Sequence, residues 1–321
     1  MKEASHYDPK KVKALFPQLD IAWQQKRLDP PNGKIRMVLD TDTYNEVDDQ
    51  FALAYALKSP EKLKLEAVYA APFHNSRSSG PKDGMEKSYD EILRLLRILK
   101  VQTDGFVLKG SDRYLPDLEH PVVSGAARDI VKKANESDGE PLYVVAIGAI
   151  TDVASALLLD PSIIEKIVVV WLGGHPLYWE HTREFNLKQD IPAAQVVFDS
   201  GVPLVLIPCM GVASHLLTSV PELEACLGGK NAFCDCLIEL FKAYSPDHFA
   251  WAKEIWDIAA VGWLVNPGWI PSDLVHSPIL TDQCTWSFDN SRHFIRCAKS
   301  LSRNAIFKDL FTKLGIPESG N

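Results

Sequence analysis

The chain has 321 residues, of which 46% are hydrophobic and 24% are charged, and its formal net charge is −8. This composition is ordinary for a globular protein, and the length suits one large α/β domain. The acidic balance argues against a nucleic-acid partner, which needs a basic surface. No apolar run reaches the ~20 residues that cross a bilayer. The polar first residues lack a secretion signal and the six cysteines form no CxxC pair, so we expect a cytoplasmic protein with no membrane partner.

The pattern of elements along the chain predicts an α/β fold. Residues 1–33 are a polar lead-in that ends in the turn PPNG, and we expect them to form an N-terminal extension to a single domain over 34–321. Short, nearly all-apolar runs then alternate with stretches of helical periodicity, as in βαβ units. The runs are IRMVL (35–39), LEAVYAA (65–71), GFVL (105–108), LYVVAI (142–147), KIVVVWL (166–172) and PLVLIP (203–208). They predict a mainly parallel, Rossmann-like open sheet with helices on both faces.

An acidic cluster follows the first predicted strand. The segment DTDTYNEVDD (40–49) places five carboxylates within ten residues and leads into a predicted helix over 48–57. Acids at a helix N-terminus are common, which explains Asp48 or Asp49 singly but not Asp40 and Asp42 as well. Carboxylates packed so closely repel one another unless a cation or protons intervene, and all-oxygen ligands suit Ca²⁺ or Mg²⁺. Because ligands bind beyond the carboxyl ends of parallel strands, the cluster predicts a metal site.

The same segment resembles the signature DxDPGxDDxxA of the inosine-uridine preferring nucleoside hydrolases, although its middle is two residues longer. Four further segments resemble that family in the same order: Asn75 after the second strand, GAITDVA (148–154), EFN (184–186) and WDIAA (256–260). The tail from Arg303 also resembles the C-terminal helix of the family. The resemblance covers most of residues 35–315 and implies a nucleoside hydrolase-like catalytic domain that acts on a small-molecule nucleoside.

The resemblance also implies the composition of the site. It assigns a Ca²⁺ ion to Asp42, Asp49, Asp257 and the backbone carbonyl of Thr151, with Asp42 as general base. It implies hydrolysis of the N-glycosidic bond of a ribonucleoside or related ribosyl compound, in a homodimer or homotetramer. The predicted substrate contacts are Asp48, Asn75, Glu184, Asn186, Trp256 and His181.

Trp256 departs from the family pattern, because well-known members carry there a histidine that protonates the leaving base. Trp256 either stacks on the base or packs in the core. His175, His181 and His248 are alternative sources of the proton, although a loop histidine is more often simply solvated.

Two other functions fit parts of the sequence. VLDTDT (38–43) also fits the opening motif of a haloacid dehalogenase-type phosphatase, with Asp40 as nucleophile and Asp42 as general acid, but no later predicted strand ends in the acidic pair that such an enzyme needs. A non-catalytic, calcium-dependent nucleoside- or sugar-binding protein would have the same site without the proton donor, and the tryptophan at 256 is the argument for it.

Overall fold

A computed structural model describes residues 7–136 and 139–316, so residues 1–6 of the predicted extension and 317–321 of the predicted domain lie outside the described residues. The described chain forms twelve α-helices and twelve strands. The helices are α1 (Pro9–Lys13), α2 (Ile21–Arg27), α3 (Asp48–Leu57), α4 (Pro81–Ile98), α5 (Gly125–Asn135), α6 (Thr151–Leu159), α7 (Phe185–Gln189), α8 (Ile191–Ser200), α9 (Val220–Leu227), α10 (Ala232–Lys242), α11 (Ile258–Val265) and α12 (Arg303–Leu314). The strands are β1 (Ile35–Thr41), β2 (Leu63–Ala70), β3 (Val107–Lys109), β4 (Leu142–Ala146), β5 (Ile167–Leu172), β6 (Leu204–Ile207), β7 (Leu217–Thr218), β8 (Lys253–Glu254), β9 (Ser272–His276), β10 (Ile279–Leu280), β11 (Trp286–Ser287) and β12 (Phe294–Ala298).

Eight of these strands form one sheet in the order β3-β2-β1-β4-β5-β6-β12-β9. Every neighbouring pair in it is parallel except β12 with β9, which is antiparallel at one edge. The chain order reverses between β1 and β4, which makes this the topological switch point where such sheets bind ligands. The predicted fold class is therefore confirmed, and the carboxyl ends of β1 and β4 are where the site is expected.

The sheet is buried on both faces because its central strands are apolar at every position. In β5 all six residues are buried, and successive side chains enter opposite cores: Val170 packs with α3 and α11, whereas Trp171 packs with α6 and α8. Burial on both faces is the reason that such strands appear in the sequence as unbroken apolar runs.

The described part of the polar lead-in is attached to the domain surface. Val12 of α1 is buried in the core beside α8, and the Tyr7 hydroxyl donates to Asp199 Oδ2 at 2.8 Å. Gln24 Nε2 donates to the carbonyl of Gly201 at 2.6 Å. The division at residue 33 stays a prediction. Across the described ranges, no helix is both long and apolar enough to cross a membrane.

Candidate active site

A cavity of about 290 Å³ opens at the carboxyl ends of β1, β4, β5 and β6. Each of these strands contributes to the wall through its last residue or through a residue one or two positions after it, as expected at a switch point. The lining residues are Asp42, Asn45, Glu46, Asp48, Asp49, Ile147, Leu172, His175, Arg183, Glu184, Phe185, Asn186, Cys209, Met210, Trp256 and Asp257.

Three buried carboxylates meet at one end of the cavity. Asp48 and Asp49 open α3, and Asp257 occupies the N-cap position of α11, so two helix N-termini converge here. Each of the three offers an oxygen that lies within 4.8 Å of the others, which is the spacing of ligands around one metal ion. The predicted convergence of Asp257 with the acidic segment is therefore present. Asp48, predicted as a sugar contact, lies in the same cluster.

Asp42 lies beside this cluster and lines the same cavity. It follows the last residue of β1 and is buried, with 1% of its surface exposed. Its carboxylate passes close to the backbone after β4, because a Cβ atom on Gly148 would lie 3.2 Å from Asp42 Cγ. Glycine at 148 therefore leaves room for the carboxylate at the switch point. The two extra residues of the acidic segment form a turn in which the Asn45 N–H donates to the Asp42 carbonyl at 2.7 Å.

The carboxylates of this end lack donors. Both Asp42 side-chain oxygens and Asp48 Oδ1 are buried and meet no hydrogen-bond donor among the described residues. Asp49 receives one hydrogen bond, from the Thr41 hydroxyl. Buried oxygens without donors are costly, since each has lost its water. A hard divalent cation would satisfy them, and carboxylate oxygens are the donor set that Ca²⁺ or Mg²⁺ prefers, so the residues present fit such an ion.

The same arrangement raises the pKa values of the cluster. Burial, and then the charges of Asp49 and Asp48, hold the pKa of Asp42 well above its usual range. Burial and the charge of Asp48 do the same for the pKa of Asp257 and of Asp49. Burial, followed by the charge of Glu46, raises the pKa of Asp48 to about 7. Without a cation, these groups cannot all be ionised at neutral pH.

Glu184 and Asn186 form the opposite wall. Glu184 is the N-cap of α7, and its carboxylate accepts hydrogen bonds from the backbone N–H groups of Asn186, Leu187 and Gly174 at 2.8, 3.0 and 2.8 Å. Burial still raises its pKa. Asn186 Nδ2 donates to the carbonyls of Ile147 and Leu172 at 3.2 and 3.0 Å, which ties α7 to the ends of β4 and β5. Both residues therefore line the cavity in fixed positions.

Three other predicted residues lie at different distances from the cavity. Trp256 lines it, directly before Asp257, and its ring is partly buried against the core. Asn75 does not line it, but Asn75 Nδ2 donates at 2.7 Å to Oδ1 of the lining residue Asn45. Thr151 is also absent from the lining. It begins α6, and its hydroxyl donates to Asp190 Oδ2 at 2.6 Å.

The histidines are separated by their positions. His175 lines the cavity. His181 is not among the lining residues, and its ring centroid lies 5.7 Å from that of His175. His248 contacts the carbonyl of Lys242. His175 is 9% exposed, and its buried Nδ1 has no partner in the described chain. Burial, together with the neighbouring His181, lowers the pKa of His175. Among the three histidines considered, His175 is therefore the one placed to meet a ligand.

Sequence reasoning did not single out several of the lining residues, among them Cys209 and Arg183. Cys209 lies two residues after β6 and is buried in the cavity wall beside Glu184. Burial, and then the charge of Glu184, hold the pKa of the Cys209 thiol well above its usual range. Arg183 directly precedes Glu184 at the cavity mouth. The rule that residues after a strand line the site would have found Cys209, whereas nothing but its neighbourhood to EFN pointed to Arg183.

A switch-point cavity with clustered buried carboxylates at one end and polar side chains at the other defines an α/β enzyme site for a small polar substrate. The model of the inosine-uridine preferring nucleoside hydrolases matches residues 37–306. The pyrimidine-specific ribonucleoside hydrolase RihA of Salmonella paratyphi B is 31% identical over 251 residues, covering 68% of this chain and 76% of that protein.

Solved structures agree on the fold. The plant nucleoside hydrolase PpNRh1 superposes with a TM-score of 0.69 at 20% identity, covering 89% of this chain and all of that one. The purine-preferring ribonucleoside hydrolase of Gardnerella vaginalis gives 0.66 at 22% identity, covering 87% and 98%. This chain belongs to the inosine-uridine preferring nucleoside hydrolase family. It is accordingly a nucleoside N-glycosidase, and the phosphatase alternative has no support from these matches.

Proposed function

We propose that this protein hydrolyses the N-glycosidic bond of a ribonucleoside in a calcium-dependent reaction, with Asp42 as the general base. The observation that carries the proposal is the convergence of Asp42, Asp48, Asp49 and Asp257 in one cavity, where buried carboxylate oxygens lack donors. Family membership supplies the reaction class, and the site supplies the residues.

Asp49 and Asp257 are the proposed core of the calcium site, with Asp42 and Asp48 beside them. Asp48, Asp49 and Asp257 satisfy the spacing of ligands to one ion. Asp42 lies close enough to Asp49 that the charge of Asp49 helps to raise the pKa of Asp42. We also propose the Thr151 carbonyl as a ligand, on the family resemblance alone. When bound, calcium supplies positive charge that keeps the carboxylates ionised and Lewis acidity toward a water and the sugar hydroxyls.

Asp42 is suited to take a proton because neither of its side-chain oxygens accepts a hydrogen bond from a described residue. In the proposed reaction, it accepts a proton at a carboxylate oxygen from the water that attacks the anomeric carbon. The C–O bond forms, the C–N bond breaks, and the base departs with the bonding electrons and takes a proton from solvent, to which Asp42 later returns the proton that it accepted. The carboxylates around the sugar stabilise the oxocarbenium-like charge that develops meanwhile.

The opposite wall holds the sugar in this proposal. Glu184 and Asn186 are fixed by backbone contacts, so they position hydroxyl groups with little loss of side-chain entropy. Asn75 acts through Asn45, or directly after a small rearrangement, and His181 acts through His175. Trp256, at the metal end, offers an aromatic face to the base. We further propose a cytoplasmic homodimer or homotetramer, on the resemblance to the family.

A nucleoside panel tests the proposed function. The purified protein is incubated with purine and pyrimidine ribonucleosides in Ca²⁺ and, separately, after exhaustive chelation, and free base and reducing sugar are measured. Release of both in equal amounts, lost on chelation and restored by Ca²⁺, is the expected result. Binding of a nucleoside without release of base on any substrate would support the non-catalytic alternative instead.

A further inference from the structure

The mouth of the cavity carries an arginine that has no acidic partner. Among the described residues, no carboxylate lies within ion-pair distance of the Arg183 guanidinium. Arg292, by contrast, pairs with Asp199 at 2.7 Å, and Arg94 pairs with Glu91 at 2.6 Å. An arginine that lines a ligand cavity and keeps its donors free is equipped to bind an anion, because its planar fork matches carboxylate and phosphate oxygens.

The nearest acid does not neutralise Arg183. Glu184 follows it in the chain, but both Glu184 oxygens are occupied by the backbone N–H groups of Gly174, Asn186 and Leu187. Glu46, another lining acid, pairs with Lys253 at 2.5 Å. The remaining lining carboxylates belong to the cluster at the metal end. Arg183 therefore provides the positive charge on a rim that is otherwise acidic.

His175 adds a second polar group to this rim. The His175 backbone N–H donates to Thr182 Oγ1 at 2.9 Å, so residues 174–175 run beside residues 182–184, and both His175 and Arg183 line the cavity. The side chain of His175 is 9% exposed, lines the cavity, and has a buried Nδ1 without a partner in the described chain. An unsatisfied buried polar atom and an unpaired cation that line the same cavity indicate a ligand group that supplies the missing contacts.

We propose that Arg183 and His175 form an anion subsite, so that the preferred substrate of this enzyme carries a negatively charged group. The proposal rests on the proposed nucleoside hydrolysis and narrows its substrate class. Two sources supply the same chemistry: a phosphate on the sugar or a carboxylate on the base. Either group would accept two hydrogen bonds from the guanidinium and one from His175.

Three pyrimidine substrates test the subsite. Uridine carries no anionic substituent, uridine 5′-monophosphate carries one on the sugar, and orotidine carries one on the base. We expect kcat/KM for one of the two anionic substrates to exceed that for uridine by about tenfold or more, and the preferred one identifies the source. Arg183→Gln should lower the ratio of anionic to uncharged kcat/KM by about tenfold or more, the usual scale of a charge-assisted hydrogen bond.

Two variants control this measurement. Arg128→Gln removes an exposed arginine of α5 outside the cavity and should leave the ratio unchanged. Arg183→Lys keeps the charge without the fork and should restore part of the ratio. An unchanged ratio in Arg183→Gln, or a wild type that prefers uridine, overturns the subsite while leaving nucleoside hydrolysis intact. If none of the three substrates and no purine ribonucleoside of the wider panel releases its base, the proposed function itself fails.

Discussion

The two walls of the cavity differ in the hydrogen-bond donors that they offer to buried carboxylates. On the wall formed by the ends of β1 and the starts of α3 and α11, both Asp42 oxygens are buried without a donor. On the other wall, Glu184 is also buried but accepts three backbone hydrogen bonds. The buried carboxylate of the second wall is satisfied by hydrogen bonds from the protein, whereas those of the first wall need a cation or protons.

This difference separates two roles. A saturated carboxylate is held rigidly and is suited to position a substrate, because its lone pairs are already directed by the backbone. An unsaturated, crowded carboxylate is suited to bind a metal and to accept a proton during a reaction. Substitutions on the two walls should consequently affect different quantities: turnover and metal binding on the first, and substrate positioning and local stability on the second.

The largest effect is expected for Asp42→Asn. An amide cannot take a proton from water, so kcat should fall by about 10³-fold, within the range of general-base catalysis. In chelator, the melting temperature should be kept or raised, because a buried carboxylate without hydrogen-bond donors is removed. Asp104→Asn is the matched control, since Asp104 is exposed and precedes β3, which lies at an edge of the sheet and does not line the cavity. Turnover near that of the wild type in Asp42→Asn would remove this residue as the base.

A smaller loss is expected for Glu184→Gln. The amide group of glutamine presents N–H to one of the backbone donors that Glu184 satisfies, so the cap of α7 weakens. We expect the free energy of unfolding to fall by about 1–3 kcal/mol, and kcat/KM to fall by about 10- to 100-fold as Asn186 loses its position. Denaturant unfolding and steady-state kinetics measure the two effects. A loss of turnover with unchanged stability would contradict the positioning role.

The two walls also differ in how far the sequence predicted them. Asp42, Asp49 and Asp257 follow a strand or start a helix. The apolar pattern of the sequence predicts where such elements begin and end. The helix over 48–57 was predicted with the bounds that α3 has. The loop over 173–183 has no such pattern, because its path depends on tertiary contacts such as the Thr182 N–H bonded to the Cys284 carbonyl at 2.7 Å.

The sheet shows the same limit. The first six strands were predicted from their apolar runs, with β3 displaced by about two residues from the run at 105–108. The last two strands of the sheet, β12 and the edge strand β9, were not predicted, because each exposes part of its surface and mixes polar with apolar residues. Their place in the sheet is set by pairing with β6 and with each other rather than by local sequence.

The stability of the folded chain should depend on pH through Asp48, on the wall that carries the carboxylate cluster. The pKa of Asp48 is raised from 3.8 to about 7 in the folded chain, so the folded state binds more protons than the unfolded state between these values. In chelator, this group therefore makes the protein less stable as pH rises from about 4 to about 7. Asp48→Asn removes the penalty, and its melting temperature relative to the wild type should be higher at pH 8 than at pH 5. A difference independent of pH would contradict the shift.

The smallest effect is expected for Cys209→Ala on the opposite wall. Glu184 keeps its three backbone donors and loses only a neighbouring side chain, so kcat/KM should fall by about fivefold, which corresponds to about 1 kcal/mol. Cys209→Ser retains a side chain beside Glu184 and should lie between this variant and the wild type. A loss as large as that of Asp42→Asn would show that the thiol has a role beyond packing beside Glu184.

Calcium titration of the wild type and of Asp257→Asn, followed by calorimetry, tests the metal site most directly. The carboxylate of Asp257 reaches the cluster from a distant part of the sequence, and the variant removes it without touching the acidic segment. We predict one Ca²⁺ per wild-type chain, affinity at least about 100-fold weaker in the variant, and turnover that follows metal occupancy. Equal affinity in both proteins, or full turnover of the wild type after chelation, would contradict a calcium site built by these carboxylates.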